Sequence, residues 1–269
     1  MQKFRCREKC YYNDKIYIIG ILNVTPDSFS DGGRFFSVEN AVRQALQMQA
    51  DGADFIDIGA VSTRPGGEIV SQEEEVRRLL PVLQSLNGKL KIPFSVDTFR
   101  PEVAELALQN GAHIINDVSG YSDEMAQVVR KYNAGWIAMH SVGAAANDVQ
   151  YPNGVVAAVQ EFIDDFYTRA TKAGVQPEQL MFDPGFGFAK NTLQNKELLD
   201  NLEKLNTHGC FLLTALSRKR FVGELTNVKE PAERLAGTLL FDKLATEKGS
   251  CILRVHDVKE HVQMFRERN

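Results

Sequence analysis

Short apolar runs alternate with longer amphipathic segments eight times along this chain, and this pattern constrains its fold more than any other feature. Apolar β-rich runs that are each followed by a helical pattern are typical of βα units with parallel strands. The strands are predicted at 17–22, 55–58, 92–96, 114–116, 136–139, 180–183, 211–214 and 252–255. The helices are predicted at 38–50, 72–86, 101–109, 123–131, 155–173, 196–205, 231–247 and 258–267.

Eight such units in 269 residues predict an α/β protein with the (β/α)8 or TIM barrel fold. No Pro/Ser/Gly tract interrupts the chain, so residues 1–269 are predicted to form one domain. A doubly wound open sheet is the alternative, but the Gly-rich dinucleotide turn expected after its first strand is missing. Residues 4–7 and 11–12, beside Asn13-Asp14, predict an N-terminal β-hairpin that covers the N-terminal end of the barrel.

Local residues support the helix boundaries. Ser71 and Glu74 have the spacing of a capping box before the second helix. Gly111 and Gly174 stand where C-terminal caps of the third and fifth helices are expected.

Charge and apolar content exclude several classes of protein. A net charge of -4 gives no basic field for non-specific nucleic-acid binding, and no apolar run is long enough to span a bilayer. The N-terminus lacks the apolar core of a signal peptide, so a cytoplasmic location is expected. The four cysteines are predicted to be reduced thiols, because Cys6-x3-Cys10 has no second Cys/His pair to complete a metal site.

Polar residues follow most of the predicted strands. Barrel enzymes carry their active sites on the loops at the C-terminal ends of the strands. The candidate site residues collected there are Asn23, Thr25, Asp27, Asp57, Thr63, Arg64, Asp97, Asn116, His140, Asp183, Lys219, Arg254 and His256.

The cationic members of this set predict an anion site. Arg254 and His256 stand two apart on one strand and therefore point to the same side, and Arg64 and Lys219 add further donors. Guanidinium groups and loop N–H groups bind phosphate oxygens through charge-assisted hydrogen bonds, which suggests a phosphate or diphosphate. The alternative is that Arg254 and His256 pair with helix-terminal carboxylates such as Asp257.

The acidic and amide members predict a second kind of ligand. Asp57, Asp97, Asn116 and Asp183 end the second, third, fourth and sixth strands, deep in the barrel mouth. A buried carboxylate needs partners, and a flat heterocycle with side-by-side N–H donors would supply them. The alternative for any one aspartate is that it caps the following helix.

These motifs resemble those of the dihydropteroate synthase family, pterin-binding enzymes of the folate pathway that sulfonamides inhibit. The resemblance covers essentially the whole chain. It rests on NVTPDSFSDGG at 23–33, STRPG at 62–66, SVDT at 95–98, IND at 115–117, DPGFGF at 183–188, SRK at 217–219 and RVH at 254–256. Departures from the common family pattern are Val61, His140-Ser141-Val142-Gly143, Ala189, Ala215 and Arg220.

The resemblance implies a role for each matching residue. The pterin would contact Asp97, Asn116, Met139, Asp183, Phe188 and Lys219. The diphosphate would contact Asn23, Thr63, Arg64, Arg254 and His256, with Mg2+ on Asn23. p-Aminobenzoate would lie among Phe29, Pro65, Phe186, Lys219 and Arg220, and Lys219, Asp97 and Arg254 would be the catalytic residues.

The implied reaction condenses (7,8-dihydropterin-6-yl)methyl diphosphate with p-aminobenzoate. Expected partners are these small molecules, sulfonamide inhibitors and a second copy of the chain in a homodimer. Two alternatives are a methyltetrahydrofolate-dependent corrinoid methyltransferase, which needs no diphosphate clamp, and a non-catalytic pterin-binding relative.

Overall fold

The computed structural model describes residues 1–24, 33–61, 70–142 and 149–266, and for residues 33–37 it describes the backbone alone. Its strands are β1 (Lys3–Cys6), β2 (Lys9–Tyr12), β3 (Tyr17–Asn23), β4 (Phe55–Gly59), β5 (Phe94–Asp97), β6 (Ile114–Asp117), β7 (Gly135–Met139), β8 (Leu180–Asp183), β9 (Phe211–Thr214) and β10 (Ile252–Val255). Its helices are α1 (Gly33–Ala50), α2 (Gln72–Leu86), α3 (Pro101–Gln109), α4 (Asp123–Tyr132), α5 (Val155–Lys172), α6 (Thr192–Asp200), α7 (Arg220–Thr226), α8 (Leu235–Glu247) and α9 (Val258–Arg266).

Strands β3 to β10 close into a parallel barrel in the order β10-β3-β4-β5-β6-β7-β8-β9. All eight predicted strands are present, and the predicted (β/α)8 architecture is confirmed. Almost every residue of these strands is buried, because the barrel interior covers one face and the helices cover the other. That residues 1–269 form one domain stays a prediction.

The period-2 alternation of each strand separates two apolar layers. Side chains such as Ile19, Phe55 and Met181 fill the barrel interior, whereas their neighbours Ile18, Ile56 and Phe182 pack in the layer beneath the helices. The interior layer is apolar at its N-terminal end. In several strands, the residue two positions further along also points inward, and its side chain is polar. These polar side chains place the candidate site at the C-terminal end of the barrel.

The antiparallel pair β1–β2 forms the predicted N-terminal hairpin. Its turn lies at residues 7–8 and not at Asn13-Asp14, because Cys6 pairs with Lys9. Phe4 and Cys6 are fully buried in the interior cluster, and the ring of Phe4 lies 5.9 Å from that of Phe211. The prediction that the hairpin covers the N-terminal end of the barrel is confirmed.

Three helix predictions were wrong in their bounds. The helix predicted at 38–50 begins five residues earlier, at Gly33, as α1. The helix predicted at 196–205 begins four residues earlier as α6, because Asn191 and Gln194 form a capping box with backbone bonds of 3.0 and 2.8 Å. A 3-10 turn at 202–205 follows it. The helix predicted at 231–247 is a 3-10 turn at 231–233 followed by α8, and the short helix α7 before it was missed.

The predictions for the capping box, the glycine caps, the cysteines and membrane spans can also be compared with the structure. The Ser71 hydroxyl caps α2 by accepting from the Glu74 N–H at 3.3 Å, but the Glu74 carboxylate binds Arg77 and Arg78 and does not complete the capping box. Gly111 and Gly174 both have positive φ at helix ends, as predicted. All four cysteines are free, and no helix among the described residues is long and apolar enough to cross a membrane.

Candidate active site

The C-terminal end of the barrel collects polar side chains through the strand alternation. Residues that follow interior apolar positions by two point into the same space, so Asn116 faces inward after Ile114 while Asp117 faces the helix layer. The strand register sets neighbouring members beside each other, as in the pairing of Asp97 with Asn116 and of Met139 with Asp183. Inward-facing positions at this end are Asp57, Ser95, Asp97, Asn116, Met139, Asp183 and Arg254.

A hydrogen-bonded network centred on Asp57 connects four strands. Oδ2 of this fully buried carboxylate accepts from Arg254 Nε at 2.6 Å and from Asn116 Nδ2 at 3.0 Å, and Oδ1 accepts from the Ser95 hydroxyl. The second arm of the Arg254 guanidinium, Nη2, donates to Asp97 Oδ2 at 3.4 Å. The sequence analysis left open whether Arg254 binds an anion or pairs with carboxylates of the chain, and the structure shows that it pairs with Asp57 and Asp97, which are buried barrel carboxylates and not helix-terminal ones.

Asp97 is the least satisfied member of the network. Burial, reinforced by the negative charge of Asp57, raises the pKa of Asp97 to about 7, and Arg254 opposes this shift only in part. Oδ1 of Asp97 is buried and has no hydrogen-bond partner among the described residues. A buried carboxylate oxygen without a hydrogen-bond donor destabilises the folded protein unless a ligand supplies that donor.

Asp183, at the end of β8, holds the loop that follows it. Its Oδ1 accepts from the Gly185 N–H at 2.8 Å, and burial raises the pKa of Asp183 while Lys219 lowers it. Gly185 has φ +71°, and a β-carbon there would collide with the carbonyl oxygen of His140. Glycine is therefore required where β8 and β7 approach each other.

Lys190 was missed by the sequence analysis because a lone lysine in a loop normally points to solvent. It is only 3% exposed, and its amine bonds to His140 Nδ1 at 2.9 Å and to the carbonyl oxygens of Gly185 and Phe188 at 3.0 and 3.3 Å. Burial lowers the pKa of Lys190 to about 7, although Asp183 opposes the shift. The amine thus fastens the loop after β8 to the end of β7.

Ala189, one of the departures from the family pattern, adopts a backbone conformation that favours glycine, with φ 50°. We expect Ala189→Gly to raise the free energy of unfolding by about 0.5–1 kcal/mol, because the strain on the β-carbon is removed at this position. Urea unfolding measures the change, with Ala173→Gly, at a helix end with φ -75°, as the matched control that should not stabilise. A lower stability of Ala189→Gly would contradict the prediction.

The loop after β9 lies beside the loop after β8, because these two strands are neighbours in the barrel. Lys219 donates to the Phe186 carbonyl, and its ammonium lies 4.7 Å from the centre of the Phe188 ring. The Phe186 ring itself is fully buried and stacks on Phe221 at 5.9 Å, so this residue faces the cavity through its backbone. Arg220 is exposed at the first turn of α7.

His256 and Asp257 follow β10 and contact the same loop. His256 Nδ1 lies 2.9 Å from the Ser217 hydroxyl, and Arg218 Nε donates to Asp257 Oδ2 at 3.0 Å. Asp257 therefore pairs with Arg218, and the alternative that Asp257 pairs with Arg254 or His256 was wrong.

Asn23 is the candidate metal ligand, at the C-terminal end of β3. Its side-chain oxygen and the Asp97 carboxylate border the same small space above Gly59, which a β-carbon at position 59 would fill at 3.9 Å and 3.7 Å from the two oxygens. Oxygen donors of this kind suit Mg2+, which usually keeps several waters and takes few protein ligands beside substrate phosphates. The described residues hold no cluster of three or more His, Cys, Asp or Glu side chains that could bind a metal unaided.

Several predicted contacts lie outside the described residues. They are Thr25, Asp27, Phe29, Thr63, Arg64 and Pro65.

Comparison with known proteins shows that this chain belongs to the pterin-binding enzyme family. The sequence profile described as pterin binding enzyme matches residues 19–256. A dihydropteroate synthase of Synechocystis sp. is 43% identical over 258 residues, covering 94% of this chain and 89% of the relative.

Solved structures of dihydropteroate synthases are also similar to this chain. The dihydropteroate synthase of Xanthomonas albilineans with 4-aminobenzoic acid is similar to this chain with a TM-score of 0.91 and 41% identity, covering 97% of this chain and 95% of that one. The enzyme of Yersinia pestis in a sulfonamide drug complex is similar with a TM-score of 0.90 and 35% identity, covering 97% and 96%.

Proposed function

Because this chain belongs to the pterin-binding enzyme family and its activity is that of a dihydropteroate synthase, we propose that the network around Asp57, Asp97 and Arg254 binds the pterin diphosphate substrate. The observation that carries this assignment is Oδ1 of Asp97, which has no hydrogen-bond partner within the described part of the chain and lies beside the inward-facing Asn116 and Asp183. A pterin carries adjacent N–H donors on a flat ring, which match such acceptors.

In this proposal the pterin lies across the barrel mouth. Asp97, Asn116 and Asp183 accept from its ring N–H and amino groups, while Met139 and Phe188 cover its faces. Lys219, which already lies against Phe188, donates to an acceptor on the ring. The buried carboxylates also stabilise the positive charge that develops on the pterin methylene as diphosphate leaves.

The diphosphate is proposed to lie between β3 and β10. Arg254 and His256 donate to its oxygens, and Thr63 and Arg64 are assigned to the same group from the sequence. Mg2+ on the Asn23 oxygen, when bound, would neutralise charge on the leaving diphosphate. The chain's own contribution is to hold the departing oxygens and to keep Asp97 close to the methylene carbon.

The amine substrate approaches from the other side of the pterin. We propose that p-aminobenzoate, and sulfonamides that resemble it, lie beside Lys219, Arg220 and the Phe186 backbone, with Phe29 and Pro65 assigned from the family resemblance. Its nitrogen attacks the pterin methylene carbon, the carbon–oxygen bond to diphosphate breaks, and the nitrogen releases a proton to solvent. A cytoplasmic location stays a prediction.

The activity is tested by diphosphate release. Purified protein with Mg2+ should release diphosphate and form dihydropteroate only when the pterin diphosphate and p-aminobenzoate are supplied together. Release without p-aminobenzoate would indicate a hydrolase. Binding of the pterin without turnover would support the non-catalytic alternative.

Pterin binding is expected to tighten as pH rises from about 6 to 8. The pKa of Asp97 is about 7, so raising the pH through this range converts the neutral acid to the carboxylate that accepts the ligand N–H groups. Titration calorimetry across this range measures the effect, with Asp97→Asn as the comparison. The same pH dependence in both proteins would show that another group titrates.

We also propose a homodimer formed through α7 and α8. Leu225, Leu240 and Leu244 expose large apolar side chains on these two helices, by 38%, 53% and 37%. Leu240→Lys is expected to shift the dimer to a monomer in light scattering, whereas Leu193→Lys, at an exposed leucine on α6, serves as the matched control. A monomeric native protein would contradict the proposal.

A further inference from the structure

Asp57 contacts both halves of the proposed site without itself reaching the ligand space. It is fully buried at the middle of β4, and the sequence analysis placed it only in the set of acidic and amide residues. Its Oδ2 bonds at 2.6 Å to Arg254, which is assigned to the diphosphate, and at 3.0 Å to Asn116, which is assigned to the pterin. One carboxylate oxygen therefore orients two residues that touch different parts of one substrate.

The bond to Asn116 fixes which face of its amide meets the ligand. An ionised carboxylate only accepts hydrogen bonds, so the NH2 of Asn116 must face Asp57 and its carbonyl oxygen must face away. Rotating the amide by a half turn would set two oxygens against each other. Asp57 thus makes Asn116 an acceptor, and the site selects ligands that carry an N–H donor at this point.

The bond to Arg254 fixes the plane of its guanidinium. Nε donates to Asp57 and Nη2 donates to Asp97, so two bonds fix the orientation of this planar group. The remaining N–H groups of the guanidinium therefore point in a single direction. Ser95 holds the other oxygen of Asp57, so the carboxylate cannot rotate away from its partners.

We propose that Asp57 is a positioning residue that sets the acceptor side of Asn116 toward the pterin and the donor edge of Arg254 toward the diphosphate. This proposal rests on the proposed function. It assigns to Asp57 the selection of a ligand with an N–H group opposite Asn116.

Asp57→Asn tests the proposal with almost no change in volume. The variant side chain can donate as well as accept, so Asn116 is no longer restricted to one orientation. We expect the Kd for 6-hydroxymethyl-7,8-dihydropterin to rise about tenfold or more, and the Kd for inorganic diphosphate with Mg2+ to rise by several-fold. Titration calorimetry measures both ligands separately.

Double-mutant cycles distinguish a positioning role of Asp57 from a general loss of structure at the site. If Asp57 acts through Asn116, then Asp57→Asn should weaken pterin binding much less in an Asn116→Ala background than in the native background. The same reasoning applies to diphosphate binding in an Arg254→Lys background. Additive losses in both cycles would overturn the proposal.

Asp117→Asn is the matched control. Asp117 is an equally buried strand-end aspartate, but it faces the helix layer and accepts from Ser119. Its replacement should leave both Kd values unchanged, and Ser95→Ala should produce a smaller version of the Asp57→Asn effect. The activity of the native enzyme is measured first, so that a failure of the proposed function can be distinguished from a failure of the positioning role. If the native enzyme is active but Asp57→Asn leaves its pterin affinity unchanged, only the positioning role is refuted.

Discussion

Arg254→Ala is expected to lower both the stability and the activity of this enzyme. The change leaves the carboxylates of Asp57 and Asp97 buried without their cation, and removing one partner of a buried ion pair typically costs about 3–5 kcal/mol. It also removes the charged hydrogen bonds that we propose Arg254 makes to the diphosphate, so kcat/KM should fall by about ten- to a hundred-fold. Urea unfolding and steady-state kinetics measure the two losses.

The two losses can be separated by restoring charge balance. Asp57→Asn combined with Arg254→Ala removes one of the uncompensated charges, so the double variant should recover part of the lost stability but none of the lost activity. Arg254→Lys should retain more stability than Arg254→Ala, because it keeps a cation but not the planar fork. Arg169→Ala, which removes an exposed arginine paired with Asp165, is the matched control and should change neither property.

If Arg254→Ala were as stable as the native protein, the buried carboxylates would have to be neutral without their cation. That outcome would contradict the ion-pair assignment. A stable protein with unchanged diphosphate affinity would contradict the anion assignment as well.

The strands and the position of the site could be predicted from the sequence because both follow from local pattern. Buried parallel strands are continuous apolar runs, and a polar residue at the end of such a run must lie at the C-terminal edge of the barrel. Period 2 then separates inward Asn116 from outward Asp117 without further information. The short helix α7 was missed because its seven residues include Gly223, which is present for close packing against Arg234 and weakens the helical pattern.

The partners of each side chain could not be predicted. Arg254 and Asp57 are separated by 197 positions in the chain, so no local pattern connects them. An arginine at the end of a strand is more readily interpreted as part of an anion site than as part of a buried ion pair. The same limit applies to Lys190, whose three partners are brought together only when β7 and β8 are adjacent. Sequence patterns give the direction of a side chain, whereas pairing depends on the closure of the barrel.

Asp183→Asn is expected to weaken pterin binding by roughly 10- to 150-fold, which corresponds to the loss of about 1.5–3 kcal/mol of hydrogen bonding to a charged group. The new amide can keep the bond from the Gly185 N–H through its oxygen, so the loop after β8 should retain its conformation. Its NH2 group would then face the ligand in place of a carboxylate oxygen, and two donors would oppose each other.

This design distinguishes a ligand contact from a structural one. Titration calorimetry with 6-hydroxymethyl-7,8-dihydropterin should show the loss, whereas the affinity for inorganic diphosphate with Mg2+ should change little. Equal losses for both ligands would mean that Asp183 acts by holding the 185–188 loop and, through Phe186, the position of Lys219. This asymmetry is expected because, in the proposed site, the carboxylates of β5 and β8 bind the flat ring of the substrate, whereas Arg254 and His256 bind its diphosphate.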